Sequence, residues 1–391
     1  MPIVLDPIAA VTHPDPYPYY ASLVAEAPLY RDEPRGLWVA SGAAHVTAVL
    51  TSERCRVRPA AEPVPAALVG SPAGDVFARL VRMNDGPPHE MAKPAVATAL
   101  HGLDTGGMVD RARVAARRLA AELEPAAAPT HLRDFALHLP VYVVAGLLGV
   151  RDEDLPATAG WTGDFAAGLA PGASTEGVAR ASSAAGHLRD VLHARAAGHA
   201  GTERGLFGAL LEAARQARVD AGTIDANAIG FLFQSYEATA ALIANTLSAL
   251  GAHPESRPRA VGDLAALRAV VREVARWDAP VQNTRRFVAK AGIVSGQLMK
   301  EGDVILVLLA AANRDSAVNA EPHRFDVTRS APVTLTFGIG PHACPGEALA
   351  TAIATAGVHE LLAAGVEPAA LGPPAGYRRS VNVRMALWGT P

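Results

Sequence analysis

The chain of 391 residues contains little lysine and little cysteine, and it has no long uncharged apolar run. Lysine occurs only at positions 93, 290 and 300 and the net charge is -3, which argues against a nucleic acid as a partner. The two cysteines, Cys55 and Cys344, are far apart, so no disulfide between them is suggested. No uncharged apolar stretch reaches about 18 residues, so we expect no membrane span.

The beginning of the sequence, Met1 to Asp15, lacks a charged start followed by an apolar run. We therefore expect no signal peptide and a cytoplasmic location, which suits two unpaired thiols. Half of the residues are hydrophobic, so the chain can bury a large core. Length alone would allow two domains, but no Gly/Ser linker or charge block divides the sequence.

One stretch surrounds a cysteine with small residues and leads into an apolar run. It is Phe337-Gly338-Ile339-Gly340-Pro341-His342-Ala343-Cys344-Pro345-Gly346, and the run Ala348 to Val358 predicts a helix. The free N–H groups and positive dipole end of a helix N-terminus would favour a thiolate at Cys344, as would a metal on the sulfur. The glycines let the backbone lie close to a flat ligand. Taken alone, such a loop also fits a buried structural cysteine.

The pattern F-G-x-G-x-H-x-C-x-G resembles the haem-ligand loop of the cytochrome P450 family, and every fixed position is filled. The resemblance implies a single, triangular, mainly α-helical domain over residues 1–391 with small β-sheets, as in the short soluble bacterial members. It also implies haem b (iron protoporphyrin IX) between a long central helix and this loop. Cys344 would be the iron ligand. Phe337, Gly338 and Gly346 would lie against the haem.

A helix is expected after the turn Asn84-Asp85-Gly86-Pro87-Pro88, and His89 and Lys93 share one of its faces. The family usually has His and Arg at this spacing, both reaching haem propionates. Lysine, which replaces the arginine here, can neutralise a carboxylate but cannot bind it with two parallel hydrogen bonds. The resemblance adds Arg286 and His342 to the propionate-binding set. Without the resemblance, an exposed pair would be the alternative for His89 and Lys93.

The longest helical pattern, Thr223 to Leu250, is apolar nearly all round, so this helix should be buried. At about 1.5 Å per residue it would run about 40 Å. Glu237 stands in its middle, where a carboxylate is costly unless it has a task or a partner. The matching family segment reads A-G-x-[DE]-T, which implies that Glu237 relays protons to the reacting oxygen. A structural acid is the alternative.

This segment departs from the family pattern in two places. Gln234-Ser235 replaces the small pair, and Ala238 replaces the threonine whose hydroxyl usually orders water beside the dioxygen. Thr239 is next, but one step along a helix turns the side chain by about 100°, so simple replacement is not expected. Ser235, Gln234 or a substrate hydroxyl could instead supply the group that the missing threonine hydroxyl provides in the family. Ser235 and Thr239 therefore join Glu237 as catalytic candidates.

A charge network is expected behind the cysteine loop. Glu273 and Arg276 are three residues apart on a predicted helix and form the E-x-x-R of the family. In the family, the loop that matches Glu321 to Phe325 supplies a second arginine, here Arg324. Removing one partner from such a buried network should cost about 3–5 kcal/mol.

Several segments are expected to form the substrate pocket. The stretch Arg58 to Asp85, rich in Pro, Gly and Ala, is predicted to be mostly irregular, and in the family this region roofs the pocket. The residues after Pro280 and the tip of a final hairpin over Gly372 to Leu387 should enter it. The predicted pocket residues are Gln234, Ala238, Val281, Gln282, Asn283 and Asn382.

The leading hypothesis is a monooxygenase that puts one oxygen atom of O2 into a small organic substrate, on family grounds a specialised-metabolite intermediate. Electrons would come from a separate ferredoxin-like or flavodoxin-like carrier and its reductase, since no reductase domain is present. Because position 238 is alanine, peroxide use, coupling or desaturation forms a second hypothesis. A haem-thiolate binding protein or sensor without turnover is the third. The sequence does not identify the substrate.

Overall fold

A computed structural model of the chain describes residues 6–198, 205–256 and 262–389. Its α-helices are α1 Tyr17–Glu26, α2 Ala43–Thr51, α3 Pro72–Arg79, α4 Pro87–His101, α5 Thr105–Leu123, α6 Pro129–Leu148, α7 Leu155–Leu169, α8 Thr175–Gly198, α9 Leu206–Ala217, α10 Ala221–Ala252, α11 Leu264–Trp277, α12 Leu309–Asn313, α13 Glu347–Ala363 and α14 Pro368–Leu371. Its strands are β1 Leu29–Asp32, β2 Leu37–Ala40, β3 Cys55–Arg56, β4 Thr284–Val288, β5 Gly292–Val294, β6 Gln297–Met299, β7 Val304–Val307, β8 Gly376–Tyr377 and β9 Ala386–Leu387. No helix within these ranges is both long and apolar enough to cross a membrane.

The strands form one sheet of five strands and two small hairpins. The order in the larger sheet is β1-β2-β7-β4-β3, with β2 and β7 parallel and the other pairs antiparallel. The hairpins are β5–β6 and β8–β9. Strand β7 pairs with β2 and β4, and β6 pairs with β5. The mainly helical fold with small sheets is confirmed.

Helix α10 is the central element of the fold. The side chain of Asp220 accepts the N–H of Thr223 at 3.0 Å and so caps the first turn. The helix then continues for 32 residues, and it packs against α3, α6, α7, α11 and α13. Its buried positions lie on every side, which confirms the prediction of a buried helix.

The segment before α4 is more ordered than predicted. It contains α3, which begins where the Ser71 side chain accepts the N–H of Gly74 at 3.1 Å. Pro72 at the first helical position favours this start, and Phe77 anchors the helix in the core. The prediction of mostly irregular chain was therefore wrong for Pro72–Arg79, where a capping serine followed by proline was the available signal.

Candidate active site

An interior cavity separates α10 from the loop that carries Cys344. On one side, α10 presents Gln234, Ser235, Ala238 and Thr239. On the other side lie the loop from Phe337 to Gly346 and the first turns of α13. The walls also include apolar side chains of the pocket roof, α4 and α6: Val81, Val96, Leu100 and Val144. The long helix and the cysteine loop are thus brought face to face.

The loop is shaped around the sulfur of Cys344. Gly338 and Gly340 have φ angles of 68° and 69°, a left-handed conformation that glycine adopts at no steric cost. The Cys344 N–H donates to the Phe337 carbonyl at 2.8 Å. The N–H of Gly346 donates to the sulfur. Cys344 is open to the cavity, although protein surrounds it on nearly all sides.

Burial raises the pKa of the Cys344 thiol above its usual value. The Gly346 N–H and the charges of Lys93 and Arg82 act in the opposite direction, but their effect is smaller. The N–H at the helix N-terminus does favour a thiolate, as expected, but desolvation of the anion outweighs it in the protein alone. A metal ion on the sulfur is the remaining source of thiolate stabilisation.

A group of basic side chains lies beside the loop. The Lys93 ammonium donates to the Ala343 carbonyl at 2.6 Å, and Arg286 reaches the cavity from β4. The His342 ring, whose Nε2 lies 3.0 Å from Asp85 Oδ1, contacts the ring of His89 with centroids 4.3 Å apart. Of the four predicted propionate-binding residues, Lys93, Arg286 and His342 thus line the cavity, and His89 lies against His342.

His89 is the most perturbed member of this group. Burial, together with the neighbouring His342 and Lys93, lowers its pKa to about 4, so the ring is neutral at pH 7. Its Nε2 is buried and has no hydrogen-bond partner among the described residues. A buried polar atom without a partner is costly, so this nitrogen suits a ligand that accepts or donates a hydrogen bond.

The lining of the cavity has an unbalanced charge. Arg82, Lys93 and Arg286 line it, and no carboxylate does so among the residues that the structure describes. Most of the remaining lining is apolar. Buried cations require anionic partners. The cavity therefore fits a ligand with a large apolar body and acidic groups, held beside a cysteine sulfur.

The middle of α10 contributes few free polar groups to this cavity. Ser235 donates its hydroxyl to the Leu232 carbonyl at 2.9 Å. The Thr239 hydroxyl has no hydrogen-bond partner in the described part of the chain, and its side chain lies on the cavity wall beside Ala238. Glu237 does not line the cavity. Its carboxylate forms an ion pair with Arg378, just after β8.

The charge network behind the loop contains a different second arginine from the predicted one. Glu273 accepts from Arg276 at 2.6 and 2.9 Å, and both side chains are almost completely buried. Arg329 also reaches Glu273, at 3.3 Å. The side chain of Arg324 is 58% exposed and pairs with Glu321 and Asp326, so its assignment to the network was wrong. Only its carbonyl oxygen takes part, accepting from Arg276.

Three of the predicted pocket residues do not line the cavity. Gln282 is fully buried elsewhere, where its amide donates to the Ala279 carbonyl at 2.7 Å. The Asn283 amide donates to the Val381 carbonyl at 3.0 Å and fastens the final hairpin. Asn382 interacts with Ser380. Val281, by contrast, lines the cavity as predicted, and it also bridges Val383 of the hairpin.

A second concavity, of about 560 Å³, lies away from Cys344. Its charged side chains are satisfied by the protein itself. Arg384 pairs with Asp278 at 3.0 Å, and Arg314 donates to the Trp277 carbonyl at 2.8 Å. The cavity at Cys344, whose cations Arg82, Lys93 and Arg286 have no carboxylate partner among the described residues, is therefore the candidate site.

Comparison with known proteins identifies the family to which the chain belongs. The sequence profile of the family Cytochrome P450 matches residues 224–364. The chain is 30% identical over 362 residues to cytochrome P450 monooxygenase PikC of Streptomyces venezuelae, covering 89% of this chain and 83% of that protein. It is 29% identical over 361 residues to 20-oxo-5-O-mycaminosyltylactone 23-monooxygenase of Streptomyces fradiae, covering 88% and 81%. The structure of P450BioI, solved with an acyl carrier protein bearing hexadec-9Z-enoic acid, superposes with a TM-score of 0.80 at 22% identity over 95% of this chain and 96% of that one.

The chain belongs to the cytochrome P450 family and is a P450 monooxygenase with haem as its cofactor. The cavity suits that cofactor: a flat apolar body with two carboxylates matches the apolar walls and the surrounding cations. Enzymes of this kind act on an organic substrate with O2 and a redox partner.

Sequence reasoning missed three arginines that the structure places at functional positions. Arg82 lines the cavity, Arg329 completes the charge network, and Arg378 holds Glu237. Each lies outside a local motif, and Arg329 and Arg378 each pair with a residue far away along the chain. Their functional positions follow only from the tertiary fold.

Proposed function

We propose that the protein inserts one oxygen atom of O2 into a small organic molecule, with specialised-metabolite intermediates as the substrate class. The second oxygen atom leaves as water, which takes two electrons and two protons. The observation that carries this proposal is the position of Cys344, which faces the substrate side of α10 across a cavity with cations and no lining carboxylate among the described residues. A relative whose name gives 20-oxo-5-O-mycaminosyltylactone as its substrate supports the substrate class.

We propose haem b as the form of the cofactor, with Cys344 as its iron ligand. Lys93, Arg286 and His342 would neutralise its propionates, and His89 would donate a hydrogen bond from its neutral ring. Phe337, Gly338 and Gly346 allow close approach on the cysteine side. Bound through a thiolate, haem supplies the activation of O2.

The protein's own contribution is to position the substrate and to deliver protons. Glu237 lies one residue before Ala238 but is held by Arg378, so a proton that it carries reaches the cavity only when this pair opens or through water. The Thr239 hydroxyl is unpaired among the described residues and lies on the cavity wall. The Ser235 hydroxyl, by contrast, donates to the Leu232 carbonyl. These three residues are the proposed proton path.

Electrons come, in this proposal, from a ferredoxin or flavodoxin and its reductase. A cytoplasmic location is supported by the two free thiols Cys55 and Cys344. We also propose that residues 1–391 act as one domain, since α10 packs against helices from both halves of the chain.

The test is a comparison of electron sources with one substrate library. Substrates are first found by the spin-state shift that they cause in the haem-loaded protein. Turnover is then measured with a ferredoxin system and, separately, with hydrogen peroxide. Product only with the redox system supports the proposal. Product only with peroxide would favour the second candidate, which the alanine at position 238 supports.

Replacing Ala238 with threonine is expected to raise the fraction of electrons that end in product. A hydroxyl at this position would hold one water by a hydrogen bond of about 1 kcal/mol, which corresponds to about fivefold in rate. The measurement is product formed per reduced nicotinamide consumed, together with peroxide released. Ala238→Val, which adds the same bulk without the hydroxyl, is the control. Equal coupling in both variants would refute this account of proton delivery.

A further inference from the structure

Arg82 is a cation at the cavity wall that the functions above do not use. It lies in the short turn Val81–Met83, and its side chain is exposed and lines the cavity. Among the described residues it has neither a hydrogen bond nor an ion pair. Burial lowers the pKa of its guanidinium, but an arginine still keeps its charge at neutral pH. Such a group needs an anionic partner.

The backbone of this turn is fastened to α10. The Val81 N–H donates to Asn227 Oδ1 at 3.0 Å, and Asn227 Nδ2 donates to the Arg79 carbonyl at 3.0 Å. Two hydrogen bonds from one amide therefore hold the chain on both sides of Leu80. Arg82 leaves this anchored segment and lines the cavity, where its charge also acts on Cys344.

Gln234 lies against the same segment. A Cβ placed on Gly230 would be 2.7 Å from Leu80 Cδ2 and 3.0 Å from Gln234 Nε2. The Gln234 amide and the Leu80 side chain therefore both lie close to Gly230. The Gln234 side chain lines the cavity and has no hydrogen-bond partner among the described residues. Because Gln234 is one helical turn before Ala238, both lie on the face of α10 that lines the cavity. Arg82 and Gln234, one donor charged and one neutral, thus both line the cavity.

Two sources can supply a carboxylate here, the haem propionates and the substrate. Lys93, Arg286 and His342, with His89, already offer four groups to two propionates. The charge of Arg82 also acts on Arg286, so it adds repulsion to that set. The position of Gln234 on α10 favours the substrate as the source.

We propose that Arg82 and the Gln234 amide bind an acidic group of the substrate, so that the substrate is an organic acid. The proposal rests on the proposed function, because it assumes that the substrate enters the cavity above Cys344. The apolar walls accept the carbon skeleton, and the fork of the guanidinium fits a carboxylate with two parallel hydrogen bonds. One such charge-assisted contact corresponds to about 10- to 100-fold in affinity.

The test compares acids with their uncharged methyl esters. Dodecanoic acid and 4-butylbenzoic acid, each with its methyl ester, are titrated into the haem-loaded enzyme by calorimetry and by the Soret spin-state shift. At least one acid is expected to bind about tenfold or more tightly than its ester. Arg82→Gln is expected to remove this preference, and Arg82→Lys to keep part of it because the charge remains without the fork.

Arg79→Gln is the matched control. Arg79 is exposed in the same segment and donates to the Asp75 carbonyl, so its loss removes an equal charge outside the cavity and should leave the acid preference unchanged. The rate of haem loss to apomyoglobin separates the two carboxylate sources. Arg82→Gln should keep haem as the wild type does, whereas Arg286→Gln should lose it faster.

Equal binding of acid and ester to the wild type would overturn the proposal, and so would haem loss from Arg82→Gln as fast as from Arg286→Gln. The reduced carbon monoxide spectrum of the wild type is recorded first. If this spectrum shows thiolate-ligated haem and the acids show no preference, only the acid site is wrong. If it shows no thiolate-ligated haem, the proposed function fails as well.

Discussion

Replacing Cys344 with serine is expected to abolish the strongly red-shifted Soret band of the reduced, carbon monoxide-bound protein, and measurable turnover with it. The band reports a thiolate on the haem iron, and Cys344 is the cysteine that opens into the cavity. Serine is almost isosteric, so the bond from the N–H of this position to the Phe337 carbonyl should survive. The measurement is the reduced difference spectrum, with circular dichroism to show that the fold is intact.

Cys55→Ser is the control for this prediction. Cys55 lies in β3, and burial raises the pKa of its thiol. The variant should therefore keep the wild-type band. A red-shifted band in folded Cys344→Ser, or its loss in folded Cys55→Ser, would refute the assignment of the ligand.

The parts of the site that could be predicted from the sequence are those formed by local chemistry. The loop around Cys344 needs glycine at 338 and 340, because both have positive φ angles. The long helix could be placed to within about two residues, because its apolar pattern is continuous and Asp220 provides an N-cap. In each case the signal and the structure that it specifies lie within a few residues of each other.

The wrong assignments concern contacts between distant segments. Arg324 and Arg329 lie in the same loop, and either could reach Glu273 as far as the sequence shows. The path of the loop decides between them: Arg276 donates to the carbonyl of 324, which leaves that side chain in solvent, and Arg329 then faces the carboxylate. Gln282 similarly points away from the cavity because its N–H and amide are used by the hairpin and by Ala279. A prediction of which residues are buried would not have shown which arginine reaches Glu273 or which way Gln282 points.

The thiol of Cys344 illustrates a limit of a different kind. The sequence correctly indicates that the N–H groups at a helix N-terminus stabilise a thiolate, and the N–H of Gly346 has this effect. It does not show how far protein encloses the sulfur, and this enclosure raises the pKa more than those groups lower it. The sign of the shift depends on the balance of two opposing effects, and only the tertiary structure supplies both.

Replacing Glu273 with glutamine is expected to lower the free energy of unfolding by about 3–5 kcal/mol, because it leaves two arginines without their carboxylate. Arg276 is completely buried, and Arg329 is 13% exposed. The Glu273 carboxylate also accepts the Asp326 N–H at 2.9 Å and so ties α11 to the chain that leads to the cysteine loop. For a chain of this length the loss corresponds to a fall in Tm of about 4 to 6 °C. Haem retention should fall too, since the loop carrying Cys344 follows this segment.

The controls distinguish the two arginines. Arg324→Gln removes an exposed side chain and should change stability by less than about 1 kcal/mol, whereas Arg329→Gln should cost more because it takes a partner from Glu273. Thermal unfolding of the haem-loaded variants, followed by circular dichroism and by Soret absorbance, measures both effects. If Arg324→Gln proves as harmful as Glu273→Gln, the network is arranged as the family pattern implies and not as the structure places it. The order Glu273, then Arg329, then Arg324 is the result that the geometry requires, because the cost of each change follows the number of buried charges that it leaves unpaired.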